Sequence, residues 1–105
     1  MNDAAFVKIA KALADPTRRL ILRKLRAAGD LTCSCVCALA NLSQPTISHH
    51  IGILQDAGII EVRKKGQFHI LTVNERALTQ FAQAVAPPKR KRTSKSAAQG
   101  QTARR

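Results

Sequence analysis

The chain of 105 residues has no tryptophan, no tyrosine and only three phenylalanines. Its core must therefore be aliphatic, and it lacks the surface rings on which single-stranded bases commonly stack. Acidic residues are also scarce, six against eighteen Lys and Arg, which leaves a formal charge of +12. Such an excess implies a polyanionic partner, nucleic acid ahead of an anionic membrane surface. No apolar run approaches the roughly 18 residues a membrane-spanning helix needs. The opening stretch MNDAAFVKIAKALADP interleaves charge with apolar residues and has no signal-peptide layout. The expectation is a cytoplasmic protein with no membrane partner. Cysteine occurs only at positions 33, 35 and 37, and in a reducing compartment such thiols stay free. There is no glycine-rich phosphate loop and no paired-carboxylate spacing, and a chain this short has little room for a substrate pocket. An enzyme is the reading these absences disfavour most.

What is present is unevenly arranged. From Pro87 onward, PPKRKRTSKSAAQGQTARR holds seven basic residues, no acid and no bulky apolar side chain. It cannot bury enough surface to order itself, so residues 87–105 read as a disordered basic tail. Removing those seven cations leaves eleven against six acids, so the domain at 1–86 is basic without its tail. Within that domain the apolar spacing is first helical. Phe6, Ile9, Ala10 and Leu13 share a face that stops near Asp15-Pro16. Asp15 then caps a second helix, with Pro16 at its first position, burying Leu20, Ile21, Leu25 and Ala28 and ending at Gly29. Asp30 is placed to cap a short third helix over roughly 32–40, with Val36, Leu39 and Ala40 inward. Asn41-Leu42-Ser43 is a turn, and Ser43, Gln44 and Pro45 open a fourth helix whose Ile47, Ile51 and Leu54 face the core until Gly58 closes it. The period then changes to that of strands. Ile60 and Val62, then Phe68, Ile70 and Thr72, alternate around Arg63-Lys64-Lys65-Gly66-Gln67 as a hairpin turn. A last helix runs from Glu75 to about Ala86, with Leu78, Phe81, Ala82 and Val85 on one face before Pro87-Pro88. The fold class is mainly α with a β-hairpin wing, a winged helix-turn-helix in the order α-α-α-α-β-β-α.

A short helix, a tight turn and a second helix opening on small polar residues is the helix-turn-helix plan, in which the second helix enters the major groove. Gln44, Thr46, Ser48 and His49 are the candidate base readers. Ser43 and the wing residues Arg63, Lys64, Lys65 and Gln67 are candidates for phosphate contact, with Gly66 supplying a positive φ at the tip. Polar residues on the outside of any helix, and a charged hairpin tip, are also what ordinary solvated surface looks like. The order of the motifs, the wing chemistry and the charge together favour DNA. The apolar stripes Phe6, Ile9, Ala10 and Leu78, Phe81, Val85 lie outside the helix-turn-helix and lack another cover, which marks them as a homodimer interface.

The runs ADPTRRLIL (14–22), SQPTISHHIGILQDAGII (43–60) and RKKGQFHILTVN (63–74) together resemble the ArsR/SmtB family of bacterial transcriptional repressors, over about residues 4–86. The resemblance implies a winged-helix homodimer paired through its first and last helices, a fourth helix reading an inverted-repeat operator in double-stranded DNA, and release by an inducer. Two departures stand out: His49 where many members carry Arg, and Gly52 where a basic residue is frequent. The recognition helix is less cationic than usual, which shifts phosphate binding toward the wing and tail.

The stretch TCSCVC carries Cys33, Cys35 and Cys37. On a helix Cys33 and Cys37 share a face, while Cys35 points about 200° away from Cys33. A regular helix thus offers two converging thiols, and a three-sulfur site needs its first turn distorted. Thiolates favour soft ions, and three of them suit trivalent arsenic or antimony. The resemblance bears on this in two directions. Some members bind metalloids through a Cys-x-Cys box at the start of this helix, but ungapped counting from Ser43 puts that box on Thr32 and Ser34, and only Cys37 matches a third cysteine of relatives. The last helix has no His and a single acid, Glu75, so the family's other common zinc site is absent. No cofactor is required for DNA binding; As(III), Sb(III) or a soft divalent metal is the expected inducer. The alternatives are a thiol-redox or persulfide-sensing repressor of the same fold, buried cysteines that merely pack, and, from another class, a small basic RNA-binding protein.

Overall fold

A computed structural model describes residues 1–86. The basic tail expected over 87–105 lies outside the described residues. Five helices and three short strands follow one another as α1 (Asp3–Leu13), α2 (Pro16–Ala28), β1 (Leu31–Thr32), α3 (Cys33–Ala40), α4 (Gln44–Asp56), β2 (Ile60–Lys65), β3 (Phe68–Val73) and α5 (Glu75–Val85). Each helix starts where a short polar side chain accepts a hydrogen bond from the backbone N–H three residues on. Asn2, Asp15, Thr32, Ser43 and Asn74 do this in turn, satisfying donors that have no partner within the helix. The cap of α3 is thus Thr32, not Asp30. Asp30 instead accepts from the Arg63 guanidinium at 2.8 Å and from the Thr72 hydroxyl at 3.0 Å. Asn41 ends α3 in the left-handed region at φ 57°, a conformation its short amide side chain tolerates; this reverses the chain into α4 within three residues.

The core is aliphatic: Ile9, Ile21, Leu22, Leu25, Val36, Ile47, Ile51, Leu54, Ile59, Ile60 and Leu71 are buried with Ala12, and among the described residues no polar or charged residue is. Three assignments made from helical spacing are corrected. Leu22 rather than Leu20 is the buried neighbour of Ile21, Ala28 is exposed at the end of α2, and Leu39 is 48 % exposed. Only α2, α4, β1 and β3 flank α3 closely, so the short helix has one covered face and Leu39 lies off it.

The hairpin is longer than expected, and its turn shorter. Arg63, Lys64 and Lys65 are strand residues, and the reversal is only Gly66-Gln67, with Gly66 at φ 62°, as the first position of a II′ hairpin turn requires. A two-residue turn pairs Lys65 with Phe68 and therefore Val62 with Leu71. Because side chains alternate across a strand, the core-facing parity of β3 is that of Leu71, and Phe68, Ile70 and Thr72 point to the other face. Phe68 is 52 % exposed. β1 adds a third, antiparallel strand, Leu31 opposite Leu71, giving the sheet order β1-β3-β2.

Candidate nucleic-acid interface and thiol pair

α4 is seated by Ile47, Ile51 and Leu54, which reach into the core, and it is started by Ser43 and Pro45. The Ser43 hydroxyl accepts from the Thr46 N–H at 3.4 Å and bonds the Thr46 hydroxyl at 2.9 Å. This local bonding fixes the rotamers of two small polar side chains at the tip of the helix. Thr46, Ser48 and His49 are exposed on its outer side, in reach of a groove laid along it. His50, next in sequence, is half-buried. Its ring lies edge-on to His49, centroids 5.6 Å apart, and its Nδ1 is 3.5 Å from the Arg18 guanidinium.

Arg18 does more than meet His50. Its Nε donates to the Ala12 carbonyl at 2.7 Å and its Nη2 to the Lys11 carbonyl at 3.2 Å, while Arg19 donates to the Leu13 carbonyl at 2.7 Å. The two arginines thus satisfy the Ala12 and Leu13 carbonyls, which lack helical partners, and share the Lys11 carbonyl with the Ala14 N–H, and Arg18 ties that end to α4. Spacing alone gives no sign of this role, because its partners are backbone atoms and a histidine 32 positions away.

Gln44 is exposed, yet its amide does not face outward to a groove. Its Nε2 donates to Cys33 Sγ at 3.2 Å, and its Oε1 accepts from the Cys37 thiol at 3.4 Å. The structure therefore brings Gln44 to the cysteines and not to Thr46 and His49. Cys33 and Cys37 share the inner side of α3 and pack partly against the core, whereas Cys35 is exposed; all three are free thiols. Burial pushes the Cys37 thiol above the ordinary cysteine value, and the charge and hydrogen bonding of Cys33 beside it push further. Among the described residues no group of three or more His, Cys, Asp and Glu is arranged to hold a metal ion. A cavity of about 270 Å³ opens between α4 and the sheet, bounded by Cys33, Gln44, Ser48, Gly52 and His69.

On the wing, Lys64, Lys65 and Gln67 are exposed, and among the described residues neither lysine has an ion-pair partner. Arg63 differs. Its guanidinium is occupied by Asp30 and by Thr72 at 3.1 Å, and the same contacts hold the Asp30 carboxyl below its usual range. It serves as the strut that fixes the wing to the loop between α2 and β1. Between α1 and α5, Phe6 and Phe81 stack with centroids 4.9 Å apart. Leu78 and Phe81 pack on the core, Ala10 is half-buried, and Val7 and Val85 are exposed. Ile9, expected on the free face, is a fully buried core residue.

Residues 13–63 match the helix-turn-helix domain family. The transcriptional repressor SdpR of Bacillus subtilis is 43 % identical over 70 residues, which is 67 % of this chain and 77 % of that one. A cadmium resistance transcriptional regulatory protein, a CadC homologue of Staphylococcus aureus, is 34 % identical over 85 residues, 78 % of this chain and 68 % of that one. Among solved structures, the crystal structure of an ArsR family transcriptional regulator superposes with a TM-score of 0.73 at 29 % identity, covering 82 % of this chain and 88 % of the other. The homodimeric winged helix-turn-helix DNA-binding domain of Mb0332 from Mycobacterium bovis gives 0.68 at 25 % identity, covering 82 % and 87 %.

Proposed function

The chain belongs to the ArsR/SmtB family of winged helix-turn-helix transcriptional repressors, and on that footing we propose that it works as a homodimer that reads an inverted-repeat operator and is released by a thiol-directed inducer. The observation that carries the DNA reading is the first two turns of α4. They present Thr46, Ser48 and His49 on a helix anchored by Ile47, Ile51 and Leu54, beside a hairpin whose Lys64 and Lys65 are exposed. Thr46, Ser48 and His49 meet base edges; Lys64, Lys65 and Gln67 meet phosphates; Ser43 positions the helix start. Dimer pairing is supported by α5, which has no buried residue in the single chain, and by the homodimeric Mycobacterium bovis neighbour. Phe6, Ala10, Leu78, Phe81 and Val85 form its apolar seam, flanked by Val7.

The inducer acts at Cys33 and Cys37. Their closeness to the start of α4 supports this, as does the cadmium resistance regulator among the relatives. Arsenic or antimony in the trivalent state, or a soft metal, is the ligand class; a redox or persulfide signal at the same thiols is the second reading, favoured by their being free. The test starts from a duplex selected by the reduced protein out of a random pool, with structured RNA as competitor. Duplex should win, the footprint should be two-fold symmetric, and arsenite, Cd(II) or peroxide should release it. Preference for RNA, or a footprint without symmetry, would sink the reading.

A further inference from the structure

Three of the glycines among the described residues are explained by their backbone. Gly29, Gly58 and Gly66 have positive φ, two after helices and one in the hairpin turn. Gly52 is different. It sits in the interior of α4, where glycine is among the poorest helix formers. A Cβ built on it would meet nothing within 4 Å. Neither conformation nor crowding within the chain calls for glycine here, but a glycine so placed lets a body from outside come against the helix backbone. The cleft between α4 and the sheet says what kind of body. Ser48, Gly52 and Gln55 recur four and three residues apart, one stripe of α4 turned toward that cleft. Val62, His69 and Leu71 face them from the hairpin. Lys64 is paired with His69 and, because side chains alternate along a strand, shares the face of Val62. The floor is thus apolar, and the rim carries hydroxyl, amide, imidazole and ammonium groups. No Asp or Glu is among the described residues that line it. Glu61 falls on the other face of β2 by the same alternation, and Asp56 pairs with Lys8 of α1 at 3.4 Å. Such a rim suits an anion.

A helix lying in the major groove has a sugar–phosphate strand on either side of it. The hairpin stands beside α4 across the cleft, so with α4 in the groove one of those strands must pass between helix and hairpin. We propose that this cleft is the seat of one sugar–phosphate strand in each subunit: the strand lies against the bare backbone of Gly52, and Gln55 and His69 donate N–H groups to its phosphate oxygens beside Lys64. The inference rests on the DNA reading above and deepens it, giving roles to Gly52, Gln55 and His69. On the α4 side the cleft presents only uncharged groups, so fit rather than charge sets how deeply the helix enters the groove. Any side chain at position 52 would hold α4 off the strand.

The test uses the reduced full-length protein and the selected duplex. Gly52→Ala should raise the urea midpoint, as alanine does in a helix interior, and yet weaken the duplex by about 10-fold, the loss of one charge-assisted hydrogen bond. Its preferred base sequence should be unchanged, because phosphate contacts carry no sequence information. Gly52→Lys should weaken binding as well, although it adds a cation. Undiminished affinity in Gly52→Ala, or tighter binding by Gly52→Lys, would show a cleft left to solvent or to a small ligand and overturn the seat. His69→Ala should also lose about 10-fold on every duplex. Backbone phosphates replaced one at a time by neutral methylphosphonates should reveal a position in each half-site that costs wild type about 10-fold and His69→Ala little more. A His69→Ala protein that suffers the wild-type loss at every position would overturn the His69 contact. A wild type that fails to hold the duplex at all would overturn the DNA reading together with the cleft; a wild type that holds it while the Gly52 variants match it overturns the cleft alone.

Discussion

The helix-turn-helix and the α1–α5 side both carry apolar stripes, the first aliphatic and the second joined by the Phe6–Phe81 stack, and they end up in opposite conditions. Val36, Ile47 and Leu54 of α3 and α4 are sealed at 1 % exposure or less. α5 buries no residue fully, although Leu78 and Phe81 touch the core, and Val85 at its end is 58 % exposed. The DNA-facing module is complete within one chain; the opposite side has half a core. Burial of apolar area is what holds such a fold together, so the first region should respond to substitution as a monomer does and the second as an interface does.

The sharpest break is Leu54→Ala. Truncating a fully buried leucine costs about 2–5 kcal/mol, and urea unfolding should show that loss at every protein concentration. Thr46→Ala touches the outer side of the same helix. It should leave stability unchanged and cost about 1–3 kcal/mol of discrimination at one symmetric pair of operator positions, seen as a relaxed preference when the duplex selection is repeated. Phe81→Ala strikes the open side. It should weaken association by about 1–2 kcal/mol, with sedimentation showing monomer at concentrations where wild type is paired; a variant whose oligomeric state was unchanged would take α5 out of the interface. Lys64→Ala should weaken all duplexes alike and flatten the slope of log K against log salt by about one unit. The smallest effect concerns Asp30. Its carboxyl is held low first by the Arg63 hydrogen bond and then by Thr72, so the wing strut is fully present above the ordinary aspartate value of about 3.9 and is lost as pH falls through the lower folded value. Both groups are exposed and screened. Asp30→Asn should therefore lower stability slightly across the neutral range, and its difference from wild type should fade as pH falls below the ordinary aspartate value of about 3.9.

Where local chemistry decides the structure, it was legible. Helix spacing, the Asp15 cap and the Ser43-Gln44-Pro45 opening put the second and fourth helices within a residue or two of their observed bounds, and the switch to alternation after Gly58 located the hairpin. The misses arose where a partner distant in sequence decides. The parity of β3 hangs on turn length, and five residues of polar, glycine-containing sequence do not reveal that only Gly66 and Gln67 leave the ladder. β1 has two residues and exists because Leu31 and Thr32 pair with Leu71 and Ile70. Asp30 stands where a cap would, but Arg63, 33 positions on, claims it. Helical spacing separated Cys35 from Cys33 and Cys37. That Gln44 turns back to those two sulfurs depends on how α4 docks against α3, which no local pattern contains.

Arg18 has a consequence beyond closing a helix. By holding the carbonyl end of α1 and the His50 ring of α4 with one planar group, it makes those two helices a single rigid elbow. In the homodimer proposed above, α1 belongs to the seam and α4 to the groove, so the elbow converts the angle between subunits into the distance between the two reading helices. Adjacent half-sites on one face of DNA lie roughly 34 Å apart. The guanidinium then acts as the fixed joint of a pair of calipers: Arg18→Lys, which cannot reach three acceptors with a planar fork, should loosen the spacing the protein accepts between half-sites before it changes the bases preferred within either one.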